Sequence, residues 1–322
     1  MNQKLHNNFQ KLIFNPLFMI LNSQHTPVLL KEVLEVLDLK PGEFFIDGTL
    51  DGGGHASAIL EKMVPKGKFL GIDWDKNILE TARVQIESRF QIPNPDFQPF
   101  WVNENFANLP EILEKNGLGK ADGLLLDLGM SSEQLENSGR GFSLKKDEPL
   151  LMTYDINAKP VKQILEELSE SELAEIIKKY SEERFSGRIA RAIKEREKIN
   201  PIETSSQLAE LIKQSVPKNY ERGRLHPATR AFMALRIYAN HELENLERIL
   251  KNLRRVLKSG GRVAIISFHS LEDRLVKNEF RDLVKTDGLR LINKKPIRPA
   301  REEIENNPRS RSAKLRAATA LS

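Results

Sequence analysis

Cysteine is absent from the 322 residues, which excludes disulfides, thiolate metal sites and a cysteine nucleophile while permitting a reducing compartment. No stretch approaches the about 18 to 20 consecutive apolar residues of a membrane span. An apolar patch at 12–21 is broken by Asn15-Pro16 and lacks a small-residue cleavage site, and residues 1–24 contain no arginine. Neither a secretory signal nor a mitochondrial presequence is therefore expected, Met19 is an alternative start, and the chain reads as soluble and cytoplasmic with no membrane partner. The six histidines are scattered and none forms a His-Glu-x-x-His pair, so a zinc site is not expected.

No strong charge of one sign dominates either: the formal net charge is +5, with a pI of about 9.2. Its distribution is uneven. Residues 281–322 hold eleven Lys and Arg against five Asp and Glu, an excess larger than that of the whole chain, so the remainder is close to neutral. Such a basic end is either a solvated surface or an electrostatic footprint for phosphates.

The chain is organised around Phe44-Phe45-Ile46-Asp47-Gly48-Thr49-Leu50-Asp51-Gly52-Gly53-Gly54-His55, an apolar run ending in a carboxylate and then a glycine cluster. This spacing predicts a buried parallel strand, a turn and a helix start. The carboxyl end of such a strand is where open α/β sheets bind ligands. Glycines there permit positive φ and close approach of backbone N–H groups to a ligand, or merely a tight turn. A second apolar run, Lys68-Phe69-Leu70-Gly71-Ile72-Asp73, ends in an acid at about the 20-residue spacing of a ribose clamp. Asp73 can instead cap the helix expected from Asp75 to Phe90.

Further strands are expected at 97–102, at 121–127 ending in Asp127, and at 262–268 after the turn Lys258-Ser259-Gly260-Gly261. Helices between the early strands give right-handed βαβ winding on a parallel sheet. Phe106, just beyond the third strand, is equally a purine-stacking ring or ordinary core. About 130 residues separate the fourth and fifth strands, far more than one crossover needs. That gap reads as a helical subdomain, with helices near 161–168, 172–180, 182–198, 206–214 and 228–240. The end of the chain reads as a strand at 289–292, a proline- and charge-rich loop at 296–308, and an edge strand at 313–319.

The motifs His25-Thr26-Pro27, Asp47-Gly48-Thr49 with Gly53-Gly54-His55, Leu125-Leu126-Asp127-Leu128-Gly129 with Ser131-Ser132 and Gln134, Arg140-Gly141-Phe142-Ser143, Glu182-Glu183-Arg184-Phe185, Arg230-Ala231-Phe232, Ser267-Phe268-His269-Ser270-Leu271-Glu272-Asp273-Arg274 and Asn307-Pro308-Arg309-Ser310-Arg311 stand in order. Together they resemble the ribosomal RNA small subunit methyltransferase H family, also called the MraW family. The resemblance covers the chain from His25 onward. It implies an α/β class I S-adenosylmethionine-dependent methyltransferase (Rossmann-like) sheet with an inserted helical domain. The expected division is an N-terminal extension (1–24), a first methyltransferase part (25–135), an inserted substrate-recognition domain (136–240), and a second methyltransferase part with a basic C-terminal tail (241–322).

The implied methyl donor is S-adenosylmethionine. The implied acceptor is the exocyclic N4 of a cytidine in the decoding region of 16S ribosomal RNA, within the small ribosomal subunit; whether the protein pairs with a second copy is left open. Carried over by matching position, the donor contacts are Gly53, Gly54, His55, Asp73, Phe106, Asp127 and Gln134. Asp127 leads as the catalytic acceptor for the amine proton, and His269 is the second choice, with a structural hydrogen-bonding role as its plainer reading. The chain departs from the family at Asp51, where glycine is usual; its carboxylate is expected to face solvent or the sulfonium. It departs again at Glu148-Pro149-Leu150-Leu151-Met152-Thr153-Tyr154-Asp155, where an acid and an arginine are missing, which touches target recognition. Rival readings are a nicotinamide-dependent dehydrogenase, disfavoured because Ser57 stands at the third glycine position, a non-catalytic RNA-binding protein, and a methyltransferase acting on another substrate.

Overall fold

A computed structural model describes residues 27–90, 92, 96–131, 134–135, 138–220 and 225–321. The expectations for residues 1–24, and the motif positions His25, Thr26 and Ser132, lie outside the described residues. In chain order the elements are α1 (Leu30–Leu37), β1 (Phe44–Asp47), α2 (Gly54–Met63), β2 (Gly67–Asp73), α3 (Lys76–Phe90), β3 (Phe97–Asn103), a 3-10 turn (Phe106–Asn108), α4 (Leu109–Lys115), β4 (Ala121–Asp127), α5 (Val161–Glu167), α6 (Glu170–Ser181), α7 (Ser186–Glu197), α8 (Ser205–Ser215), α9 (Thr229–Ala239), α10 (Glu242–Lys251), α11 (Leu253–Val256), β5 (Leu257–Ser267), α12 (Ser270–Lys285), β6 (Leu289–Leu291), α13 (Arg301–Asn306), a second 3-10 turn (Pro308–Ser312) and β7 (Lys314–Ala320).

The chain divides into two compact units. The first runs from the start of the described chain to Leu128, and adds Leu253–Phe268 and Phe280–Ser322. It contains a seven-stranded sheet in the order β3-β2-β1-β4-β5-β7-β6. Strands β1 to β5 pair in parallel, while β7 runs antiparallel to both β5 and β6. This is the Rossmann-like class I methyltransferase sheet. The strand order reverses direction beside β1, and a ligand crevice forms outside the carboxyl ends of the strands at such a point. Both faces of the early strands are covered, so β1 is buried along its whole length. Phe45 and Phe69 stack at 5.7 Å and Trp101 meets Phe69 edge-on at 5.3 Å. Each fully buried ring of this kind contributes about 1.5 to 3 kcal/mol of transfer free energy.

The second unit comprises Gly129–Asn252 and His269–Glu279. It is helical and has its own core, in which Leu165, Leu173, Ile177, Ile189, Leu208, Phe232 and Leu235 from α5, α6, α7, α8 and α9 are buried together. Helix α6 starts with a capping box, Ser169 and Glu172 each accepting from the other's backbone N–H.

Several sequence expectations need correction. The segment 313–319 is not an edge strand: β7 lies between β5 and β6, and Leu315, Ala317 and Ala318 are buried. Its alternating Lys314 and Arg316 suggest a solvated face, yet the small alanines let neighbours cover both sides, and Arg316 itself is buried. The expected basic tail is accordingly a folded part of the first unit. The proline-rich loop contains α13, whose first turn carries Glu302 and Glu303, a charge placement that suits a helix N-terminus. Glu303 Oε1 accepts the backbone N–H of Leu29 at the head of α1, at 2.8 Å. The helix expected at 182–198 begins only at Ser186, because Glu182 has φ 54° and breaks the run from α6. Strand β5 begins at Leu257, with a register shift against β4 between Ala121 and Gly123 that absorbs the glycine turn.

Candidate active site

The turn after β1 is stitched to strands on both sides. Gly48 N–H donates to Leu125 O at 3.0 Å and Leu50 N–H to Ile72 O at 2.9 Å. Asp47 Oδ1 accepts the Thr49 N–H, and the Thr49 hydroxyl accepts the N–H of Asp127 at 2.6 Å. The carboxyl ends of β1, β2 and β4 are therefore held together by one short loop. Gly53 has φ 71° and forms the N-cap of α2, a conformation that favours glycine. A Cβ on Gly54 would stand 2.5 Å from Pro27 Cγ, so glycine is needed there for packing, whatever its exposed backbone does for a ligand.

Asp73 is buried and fills the capping role foreseen for it. Its Oδ1 accepts the N–H of Asp75 at 2.8 Å, the capping role, and its Oδ2 accepts the N–H of Asp51 at 3.0 Å. Each oxygen keeps a lone pair that a ribose hydroxyl can use. Burial pushes the Asp73 carboxyl up to about 7, against the pull of those two N–H groups. Burial likewise raises Asp47 well above the usual carboxylate range, and Asp127, Asp73 and Asp51 add to it through their charges. Asp51 sits at φ 48°, in the left-handed region where glycine is least strained. Its backbone N–H is what reaches Asp73.

His55, at the start of α2, is also buried. Its Nε2 lies 2.9 Å from Val28 O; a carbonyl only accepts, so this nitrogen carries a hydrogen. Its Nδ1 faces Asp127 Oδ2 at 3.6 Å. A neutral ring would aim a lone pair at the carboxylate, so the approach is favourable when one proton is held by the pair. Phe106 opens the 3-10 turn after β3, half-buried; an ideal Cβ on Gly48 would lie 3.3 Å from its own Cβ. The first unit thus gathers Gly53, Gly54, His55, Asp73, Phe106 and Asp127 at the carboxyl ends of β1 to β4. It adds Asp47, which sequence reasoning left out of the site although its position at a strand end was the available signal.

A model of the MraW methylase family matches residues 22–321. The chain belongs to the MraW methylase family. Among curated relatives, the ribosomal RNA small subunit methyltransferase H of Syntrophus aciditrophicus is 44% identical over 317 residues, covering 92% of this chain and 97% of that one. The protein of the same name from Clostridioides difficile is 41% identical over 313 residues, covering 91% and 98%. Among solved structures, TrmN from Thermus thermophilus is similar with a TM-score of 0.43 at 13% identity, covering 94% of this chain and 51% of that one.

The remaining candidate site residues, Gln134 and His269, belong to the second unit. Gln134 closes a capping box with Ser131: its N–H donates to Ser131 Oγ at 2.9 Å and its side-chain oxygen accepts the Ser131 N–H at 3.2 Å. The Ser-x-x-Gln spacing was the sequence signal for that local structure. His269 and Glu272 form a similar reciprocal pair at the head of α12. Glu272 Oε2 accepts the His269 N–H at 3.2 Å, and His269 Nδ1 accepts the Glu272 N–H at 3.4 Å. With Nδ1 accepting, the lone pair that a general base needs is engaged in the cap. Glu242, His269 and Glu272 bring possible ligand atoms within 4.8 Å of one another. Glu242, however, is gripped by Arg236 through both oxygens at 2.7 and 2.8 Å, so a metal cation there would have to displace a guanidinium.

The departure at 148–155 is packed into the second unit. Glu148 Oε2 accepts the Gly141 N–H at 2.9 Å, and Arg140 donates to Tyr154 O at 2.8 Å. Leu150, Met152 and Thr153 are buried. Among the described residues, no helix is long and apolar enough to cross a membrane.

Proposed function

We propose that the protein is a small-subunit ribosomal RNA methyltransferase that transfers the methyl group of S-adenosylmethionine to the exocyclic N4 of a cytidine in the decoding region of 16S RNA, acting in the cytoplasm. The observation that carries this reading is the group of strand-end carboxylates Asp47, Asp73 and Asp127, the first two buried and the third half-buried, beside a glycine turn. Such a concentration of acids is unfavourable alone and is relieved by a cationic ligand with ribose hydroxyls. A sulfonium supplies an already activated methyl, so the protein's contribution is mostly placement.

Asp73 would accept from the ribose, backbone groups of the Gly53-Gly54 turn would meet the amino-acid end, and Phe106 would cover the adenine. Asp127 would accept a hydrogen bond from the cytosine amine, localising its lone pair and receiving the proton as charge develops on nitrogen. Orienting the amine for in-line attack can supply about 7 to 11 kcal/mol of barrier reduction. Of the two acceptors foreseen, Asp127 is favoured because Nδ1 of His269 is engaged at a helix cap. A base held in folded RNA must first leave its stack.

The test is to treat ribosomal RNA from cells lacking this protein with the purified enzyme and labelled donor, then map the product by mass spectrometry. A new N4-methylcytidine in the decoding region is expected, and Asp127→Asn should lower its rate by about 10² to 10⁴. Label appearing elsewhere, or none with any ribosomal particle, would overturn the assignment.

A further inference from the structure

The second unit carries an arrangement that the methyl-transfer chemistry does not use. Glu183 is completely buried. Its Oε1 accepts the backbone N–H of Phe185 at 2.8 Å, and its Oε2 accepts the hydroxyl of Tyr220. One desolvated carboxylate therefore fixes two rings, which meet edge to face at 5.0 Å. Arg230 Nη1 donates to the same Tyr220 hydroxyl at 3.4 Å. The Arg184 guanidinium lies over both rings, 4.8 Å from the centroid of Phe185 and 5.0 Å from that of Tyr220.

Arg184 is exposed, and among the described residues no carboxylate lies within ion-pair distance of it. The neighbouring Glu182 pairs instead with Arg274 at 3.2 Å. Arg188, in the first turn of α7, is exposed as well. A planar cation held against aromatic rings loses little conformational freedom when a second flat group covers it. Single-stranded RNA presents such groups as unstacked bases, beside phosphates that a cationic surface attracts. A guanidinium can also grip a phosphate through its edge, but that contact needs no ring beneath the plane; the investment of a buried glutamate in orienting two rings under the guanidinium points to stacking.

We propose that Arg184, backed by Phe185 and Tyr220, is a stacking platform for one unpaired base of the RNA substrate. This rests on the reading of the protein as an RNA methyltransferase. The experiment compares full-length wild type, Arg184→Lys, Arg184→Ala and Arg188→Ala for binding to a single-stranded RNA spanning the target cytidine, by fluorescence anisotropy across a salt series, with thermal melts as a folding control. Arg184→Lys keeps the charge and loses the plane. It should bind about tenfold more weakly than wild type with an unchanged salt slope, and raise the KM for RNA while leaving kcat and the KM for the methyl donor in place. Arg188→Ala should chiefly reduce the salt slope. Wild-type affinity in Arg184→Lys would overturn the platform while leaving the enzyme assignment intact. Absence of RNA binding by wild type would overturn both.

Discussion

Nδ1 of His55 and Oδ2 of Asp127 lie 3.6 Å apart, one from the head of α2 and the other from the end of β4. Because Val28 O holds the opposite ring nitrogen at 2.9 Å, His55 can share a proton with Asp127 without turning. His55→Gln can still donate to Val28 but cannot take up that proton. Its kcat should fall by about tenfold or more, with an altered pH–rate profile. An unchanged profile would confine His55 to holding the loop.

Asp73 links the site to pH. Its carboxyl is raised from 3.8 to about 7, chiefly by burial. A raised folded value means that the stabilising contribution is complete below the unfolded value and is lost as pH rises through about 7, falling by about 1.4 kcal/mol for each pH unit between the two values. Ligand-free protein should therefore melt lower at pH 8 than at pH 5, and donor binding near neutrality should release a proton. Calorimetry in two buffers of different ionisation enthalpy reads that release; Asp73→Asn should abolish it.

Gly54 packs against Pro27 with no room for a methyl group. Gly54→Ala should destabilise the protein by about 1 to 3 kcal/mol through overpacking, visible as a lower Tm. Gly52, whose ideal Cβ meets nothing within 4 Å, is the control: alanine there should leave Tm nearly unchanged, and any loss would appear in donor affinity.

His269 separates a cap from a base. His269→Ala should lower stability by about 0.5 to 2 kcal/mol, and His269→Ser, which can accept the Glu272 N–H, should restore it. If kcat also recovers in the serine variant, the imidazole has no part in proton transfer.

Arg309 and Arg311 are exposed on the 3-10 turn before β7. Replacing both with glutamine should weaken RNA binding and lower the salt slope by about 1 to 2. An unchanged slope would remove this face from the RNA footprint.

The motif-bearing strands were legible because a buried parallel strand writes its signature locally, as an apolar run ending at a functional residue. Phe44–Asp47, Gly67–Asp73 and Ala121–Asp127 appear where the pattern puts them. The last strand was misplaced for the opposite reason. Nothing within Lys314–Ala320 tells that Leu289–Leu291 will pair beyond it and take the edge. The α13 helix was hidden by flanking prolines, and Glu182 gave no sign of the positive φ that splits α6 from α7.

The sequence by itself determined the succession of the parallel strands, the acids at their ends and the family, since each is encoded in residues adjacent in the chain. Only the tertiary structure decided that Asp47 is buried among Asp51, Asp73 and Asp127, that His55 faces Asp127, and that Glu183 braces two rings beneath Arg184. Those relations join residues distant in sequence, and their energies depend on desolvation and separation, which exist only once the chain has closed around them.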